Sequence, residues 1–105
     1  MNHAGKKIIN KTLPKQILIV EDNQIAQKAN RLSFESFGLT VDTASSGEQA
    51  IALFEPGKYA MVLTDISLPD MNGYEVCERL VALEAGSNFH VPMIGISAHV
   101  TPEKN

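Results

Sequence analysis

Three carboxylates and a hydroxyl follow strand-like stretches in this chain. Glu21 and Asp22 come directly after Ile17-Leu18-Ile19-Val20, Asp65 after Met61-Val62-Leu63-Thr64, and Ser97 closes the run that begins at Val91. Carboxylates drawn together repel, which costs stability unless a proton or a cation offsets the charge. The donors are all oxygen, with no Cys or His nearby in the pattern, so the cation they suit is Mg2+ or Mn2+, octahedral and completed by water. A carboxylate is also a nucleophile that forms covalent phosphoryl intermediates, with positioning and charge neutralisation carrying most of the catalysis. Ser97 can offer its hydroxyl to a phosphoryl oxygen. Taken singly, each residue has a plainer use. Asp65 reads as a turn former, Glu21 or Asp22 as the acidic start of a helix, and Ser97 as a loop hydroxyl. Asp70 and Asn72, framed by Pro69 and Gly73, read as turn and cap residues.

The elements between these residues decide whether they meet. Ile17 to Val20 has the unbroken β-rich character of a strand buried on both faces. Glu21-Asp22-Asn23 ends it and opens a helix with Ala26, Ala29, Ser33, Phe34 and Phe37 on one face, stopped by Gly38. Thr40 to Ala44 reads as the second strand. Ser46-Gly47-Glu48-Gln49 matches a capping box for a helix carrying Ala50, Ile51 and Phe54, and Pro56-Gly57 breaks it. Tyr59 to Thr64 is the third strand. Asn72 caps a third helix through Glu75, with Val76, Leu80 and Leu83 inward. Gly86-Ser87-Asn88 is a loop, and Val91 to Ser97 a fourth strand with Pro92 at its entry. The β-α-β-α-β-α-β order implies right-handed crossovers and a doubly wound parallel α/β sheet. In such sheets ligands sit at the strand carboxyl ends, where strand order reverses. Glu21, Asp22, Asp65 and Ser97 all fall there, and that convergence favours a site over four unrelated turns.

Composition removes several other functions. The chain has 105 residues, 44% of them hydrophobic and 20% charged, enough for one core. A net charge of −3 gives no basic footprint for nucleic acid. No apolar run approaches the roughly 20 residues that span a bilayer, and the start is unlike a signal peptide. Cys77, the single cysteine, rules out an internal disulfide, fits a reducing compartment and reads as a packed thiol. His3, His90 and His99 lack the spacing of a zinc site. Residues 1–15 hold four of the chain's nine basic residues (Lys6, Lys7, Lys11 and Lys15) and no acid. They read as a solvated arm or linker ahead of a domain spanning 16–105.

From Gln16 onward the chain resembles the receiver domain of two-component response regulators and hybrid histidine kinases. The stretches that carry the resemblance are ILIVEDN (17–23), ASSGEQAI (44–51), MVLTDISLPDMNGYEV (61–76) and VPMIGISAHV (91–100). ILIVEDN and TDISLPDMNG look most like a hybrid-kinase receiver. The resemblance implies a flavodoxin-like fold and a cytoplasmic signalling domain, not itself an enzyme. It further implies that Asp65 accepts a phosphoryl group from a partner's phosphohistidine, on a histidine kinase or a histidine phosphotransfer protein. Glu21 and Asp22 match the acidic pair that, with Asp65, organises Mg2+, and Ser67 matches the position offering a backbone carbonyl to the metal. Ser97 matches the hydroxyl that contacts the phosphoryl group and acts in switching, and Ala98 its small neighbour.

Two departures bear on this. Glu21 stands where many members have Asp, so its longer side chain is expected to reach the ion through water. Receivers also run to roughly 120 residues, an ordinary single-domain size. Here the sequence stops at Thr101-Pro102-Glu103-Lys104-Asn105, the start of a fourth helix by its pattern. The fourth helix, fifth strand and fifth helix are absent, and with them the lysine and switch aromatic of resembling proteins. Lys28, Lys58 and Lys104 do not match that lysine. The expectation is a cut piece of a longer receiver, with strand four an exposed edge open to self-association. Two other functions stand beside the phosphoacceptor. A receiver-like module that docks partners without phosphorylation fits the missing lysine. An aspartyl-nucleophile phosphohydrolase fits less well, because such enzymes place D-x-D after the first strand and this chain has Glu-Asp-Asn.

Overall fold

The computed structural model describes residues 14–96. Most of the basic arm, Ser97, Ala98 and Lys104 lie outside the described residues. Seven elements follow one another: β1 (Gln16–Val20), α1 (Gln24–Glu35), β2 (Thr40–Ala44), α2 (Gly47–Leu53), β3 (Met61–Asp65), α3 (Gly73–Glu84) and β4 (Met93–Ile96). The four strands form one parallel sheet in the order β2-β1-β3-β4. The chain leaves β1 toward one side to make β2 and returns to the other to make β3, so order reverses between β1 and β3. That is where an open α/β sheet binds ligands.

The sheet is wound on both faces. Leu18, Val20 and Val62 point to the side covered by α2 and α3, where they meet Ala50, Phe54, Val76 and Leu80. Ile17, Ile19 and Leu63 point the other way, toward Phe34 of α1, Leu39 and Val41. Both sets alternate along the same strands, as a two-sided parallel sheet requires. Tyr59 enters the first core with its hydroxyl donating to Asp42 Oδ2 at 2.7 Å.

Capping is local and follows the sequence. Asn23 accepts from the Ala26 amide at 2.9 Å, Ser46 from Gln49 at 3.1 Å, and Asn72 from Glu75 at 2.8 Å. The second half of the Ser46 box is displaced: Gln49 Oε1 accepts from the Ser45 amide at 2.7 Å, one residue before the cap. Two expected helix faces are corrected. In α1 the half-buried residues are Ala26, Gln27, Asn30, Arg31 and Phe34, while Ala29, Ser33 and Phe37 are exposed. Ala29 and Ser33 lie off that half-buried row, and Phe37 comes after the helix has ended at Glu35. In α3 the inward row is Gly73, Val76, Leu80 and Glu84, with Leu83 45% exposed. β3 also runs one residue further than expected, and β4 begins two residues later, at Met93.

Candidate functional site

Register brings the acidic residues together. Val20, the last residue of β1, pairs with Ala44 of β2 and with Thr64 of β3. Glu21 and Asp65 are therefore each one step beyond the same row. Asp65 is the last residue of β3 itself, paired with Ile96 of β4, and is fully buried. Glu21 is also enclosed, at 1% exposure, whereas Asp22 is exposed. Carboxylate oxygens of Glu21, Asp22 and Asp65 lie within 4.8 Å of one another.

The surrounding chain fixes these side chains. The Glu21 amide donates to Ala44 O at 2.9 Å, and its own carbonyl accepts from Gln27 Nε2 at 2.8 Å. Glu21 Oε2 accepts from the Asn23 amide at 3.0 Å. Its other oxygen, Oε1, is enclosed and meets no hydrogen-bond donor among the described residues. Burial raises the Glu21 carboxyl above its ordinary pKa; the charges of Asp65 and Asp22 add to that, against the lowering effect of the Asn23 amide. Asp65 Oδ1 accepts from the Ser67 amide at 3.2 Å. Beyond it, Ser67 forms an antiparallel bridge with Asn72, and the Gly73 amide donates to Ile66 O at 2.7 Å. This brings the start of α3 against the backbone of Asp65. A Cβ on Gly73 would lie 2.5 Å from Asp65 O, so no larger residue fits without moving the strand end.

A cluster of this kind suits a small hard cation. All its donors are oxygens, one enclosed carboxylate oxygen lacks a donor, and the like charges press on one another until something positive offsets them. Of the residues expected from sequence, Glu21, Asp22 and Asp65 are brought together, and Ser67 is bonded to Asp65 through its amide. Two contributors were not expected. Gln27, on the inner face of α1, also donates to Ser45 Oγ at 3.4 Å. Asp70 does more than form a turn: its Oδ1 and Oδ2 accept from the Gly47 and Glu48 amides, each at 2.9 Å. Those partners lie more than twenty residues away, and no local spacing announces them.

The response regulator receiver domain family matches residues 17–105. The chain belongs to that family. Among receiver-containing relatives, the aerobic respiration control sensor protein ArcB of Escherichia coli is 34% identical over 88 residues, covering 84% of this chain and 11% of ArcB. The hybrid signal transduction histidine kinase I of Dictyostelium discoideum is 29% identical over 92 residues, covering 83% of this chain and 5% of that protein. The chain thus spans only a small part of these relatives. Among solved structures, the receiver domain of the histidine kinase CKI1 from Arabidopsis thaliana, complexed with Mg2+ and BeF3−, superposes with a TM-score of 0.75. It is 22% identical and covers 89% of this chain and 72% of that one. The four-stranded parallel sheet with three helices is thus a receiver fold. Among the described residues no helix is long and apolar enough to cross a membrane.

Proposed function

We propose that this receiver is a phosphoacceptor in a two-component phosphorelay and that Asp65 takes the phosphoryl group. The supporting observation is the fully buried Asp65 at the end of a central strand, its carboxylate within 4.8 Å of those of Glu21 and Asp22. In the reaction an Asp65 oxygen attacks phosphorus, the P–N bond of a donor phosphohistidine breaks, and the electron pair returns to the imidazole. The Ser67 amide holds Asp65 Oδ1. Glu21, Asp22, Asp65 and the Ser67 carbonyl would hold Mg2+, which neutralises charge on the carboxylates and the incoming phosphoryl group. Ser97 and Ala98 complete the site in this reading, with the Ser97 hydroxyl on a phosphoryl oxygen. A fold relative is solved in complex with Mg2+ and BeF3−, in keeping with a Mg2+ site in this reading.

The donor is a histidine kinase or a histidine phosphotransfer protein, and the domain acts in the cytoplasm, joined through the basic residues 1–15. The α1 surface beside the rim exposes Ile25 and Leu32 around Lys28 in a shallow apolar groove, on which a donor protein can seat. The alternative is a module that docks without being phosphorylated. Intact mass decides between the two readings. After incubation with Mg2+ and acetyl phosphate, the phosphoacceptor reading expects one added phosphoryl group on the chain and none on Asp65→Asn. Equal masses before and after would leave the docking module.

A further inference from the structure

We propose that Asp70 is a positioning residue for the acceptor loop, holding the segment after Asp65 against the start of α2. This rests on the reading of Asp65 as the phosphoacceptor. The segment from Ile66 to Asn72 has four tethers near its base: Ser67 to Asp65, Ser67 to Asn72, Gly73 to Ile66, and the Ile66 amide to Ile96 O of β4 at 2.9 Å. All of them act at the base of the segment. They leave its tip, Pro69 to Met71, to be placed by something else.

Asp70 supplies that placement. Its two oxygens each take one amide of the first turn of α2, Gly47 and Glu48, both at 2.9 Å. The helix has no other use for these donors, because the amides of a first turn lack intrahelical acceptors and the Ser46 cap takes the Gln49 amide instead. Packing reinforces the clasp. The Met71 side chain lies so close over Gly47 that a Cβ there would stand 2.5 Å from Met71 Cγ and 2.6 Å from Sδ. α2 is in turn part of the buried core through Gly47 and Ala50. The tip of the acceptor loop is thus fastened to a fixed element on the far side of β1, two strands from its own. Glu48 is exposed, so water can satisfy its amide if Asp70 is removed, whereas the amide of the buried Gly47 loses its partner. Water cannot hold the loop. The expected consequence is a displaced Ser67, and with it a displaced Asp65 oxygen and metal-facing carbonyl.

The test uses the 105-residue chain with Asp70→Ala and Asp70→Asn, at a temperature where all three forms are folded. Amide exchange is measured without metal, then Mg2+ affinity by titration. In Asp70→Ala the Ser67 and Gly47 amides should exchange about tenfold faster, well beyond any change at Ile19 and Leu63, marking a local opening. Mg2+ should bind about tenfold more weakly, the lower end of what losing an outer partner of a metal ligand does. Asp70→Asn keeps one acceptor oxygen and should fall between. Unchanged Ser67 exchange in Asp70→Ala overturns the proposal whatever the metal does, and so does uniform loosening of the whole core. An unaltered Mg2+ affinity in Asp70→Ala also overturns it. A parent chain that binds no Mg2+ at millimolar concentration sinks the phosphoacceptor reading instead, and the exchange measurement still decides the role of Asp70.

Discussion

Glu21 is an acid kept almost out of water beside two other acids, and its chemistry works against the metal-free fold. Its folded pKa is raised above 4.5. A raised carboxyl adds stability below its unfolded pKa, and that contribution is lost as pH rises through the folded value. Glu21→Gln removes the buried charge, so at pH 7 the metal-free variant should be more stable than the parent. Its advantage should vanish below about pH 4. The same variant should bind Mg2+ more weakly, and urea melts with and without Mg2+ measure both effects. Asp70 has the opposite sign. The Gly47 amide first, then that of Glu48, holds its carboxyl below the usual range. Its stabilisation is present above the unfolded pKa and is lost as pH falls through the folded one. Asp70→Asn should therefore show a shallower acid limb in melting temperature between pH 5 and pH 2; parallel limbs for the two proteins would remove the clasp from the stability account. The two residues also mark what the sequence discloses. Glu21, Asp22 and Asp65 were legible because a topological rule places all strand carboxyl ends on one rim. Asp70 was not, since its bonds depend on how two loops from different strands meet.

Elements were legible to the extent that their signals are local. Ser46 and Asn72 cap the helices they were expected to cap, and Asn23 does the same for the helix that Glu21-Asp22-Asn23 was expected to open, because a cap is a bond between residues three apart. Helix faces were less so. The α3 sequence offers both Leu80 and Leu83 to the core, and hydrophobicity alone prefers them to Glu84. The row set by Gly73 against Asp65 selects Val76, Leu80 and Glu84 instead. Glu84 tolerates burial because its Oε2 accepts from the Val91 amide at 2.8 Å, tying α3 to the approach of β4. Alanine substitutions separate the two leucines. Leu80→Ala should cost about 2–5 kcal/mol by leaving a cavity, and Leu83→Ala about 0.5 kcal/mol or less. Chemical denaturation measures both, and equal costs would return Leu83 to the core. Gly73→Ala belongs to the same element. It keeps good helix propensity yet drives a methyl into the Asp65 carbonyl, so it should destabilise by about 1–3 kcal/mol and slow labelling by acetyl phosphate.

At the scale of the molecule, the order β2-β1-β3-β4 leaves the two outer strands in different situations. β2 is flanked on one face by α1 and on the other by α2, while β4 pairs with β3 alone among the described residues. Met93 turns into the α2–α3 core and Ile96 toward the α1 side, but Ile94, on the α1 side of the sheet, stays 45% exposed. Among the described residues β4 therefore presents an open edge. An apolar strand with an unpaired row of backbone donors and acceptors is a template for another strand. This chain on its own should therefore associate as its concentration rises, with apparent mass in sedimentation velocity increasing from micromolar to hundreds of micromolar. Ile94→Lys places a charge on that strand while leaving Met93 and Ile96 in their cores, and it should hold the chain monomeric over the same range. A parent that stays monomeric throughout would mean the edge is not adhesive, and a lysine variant that associates as strongly as the parent would move the contact to another surface.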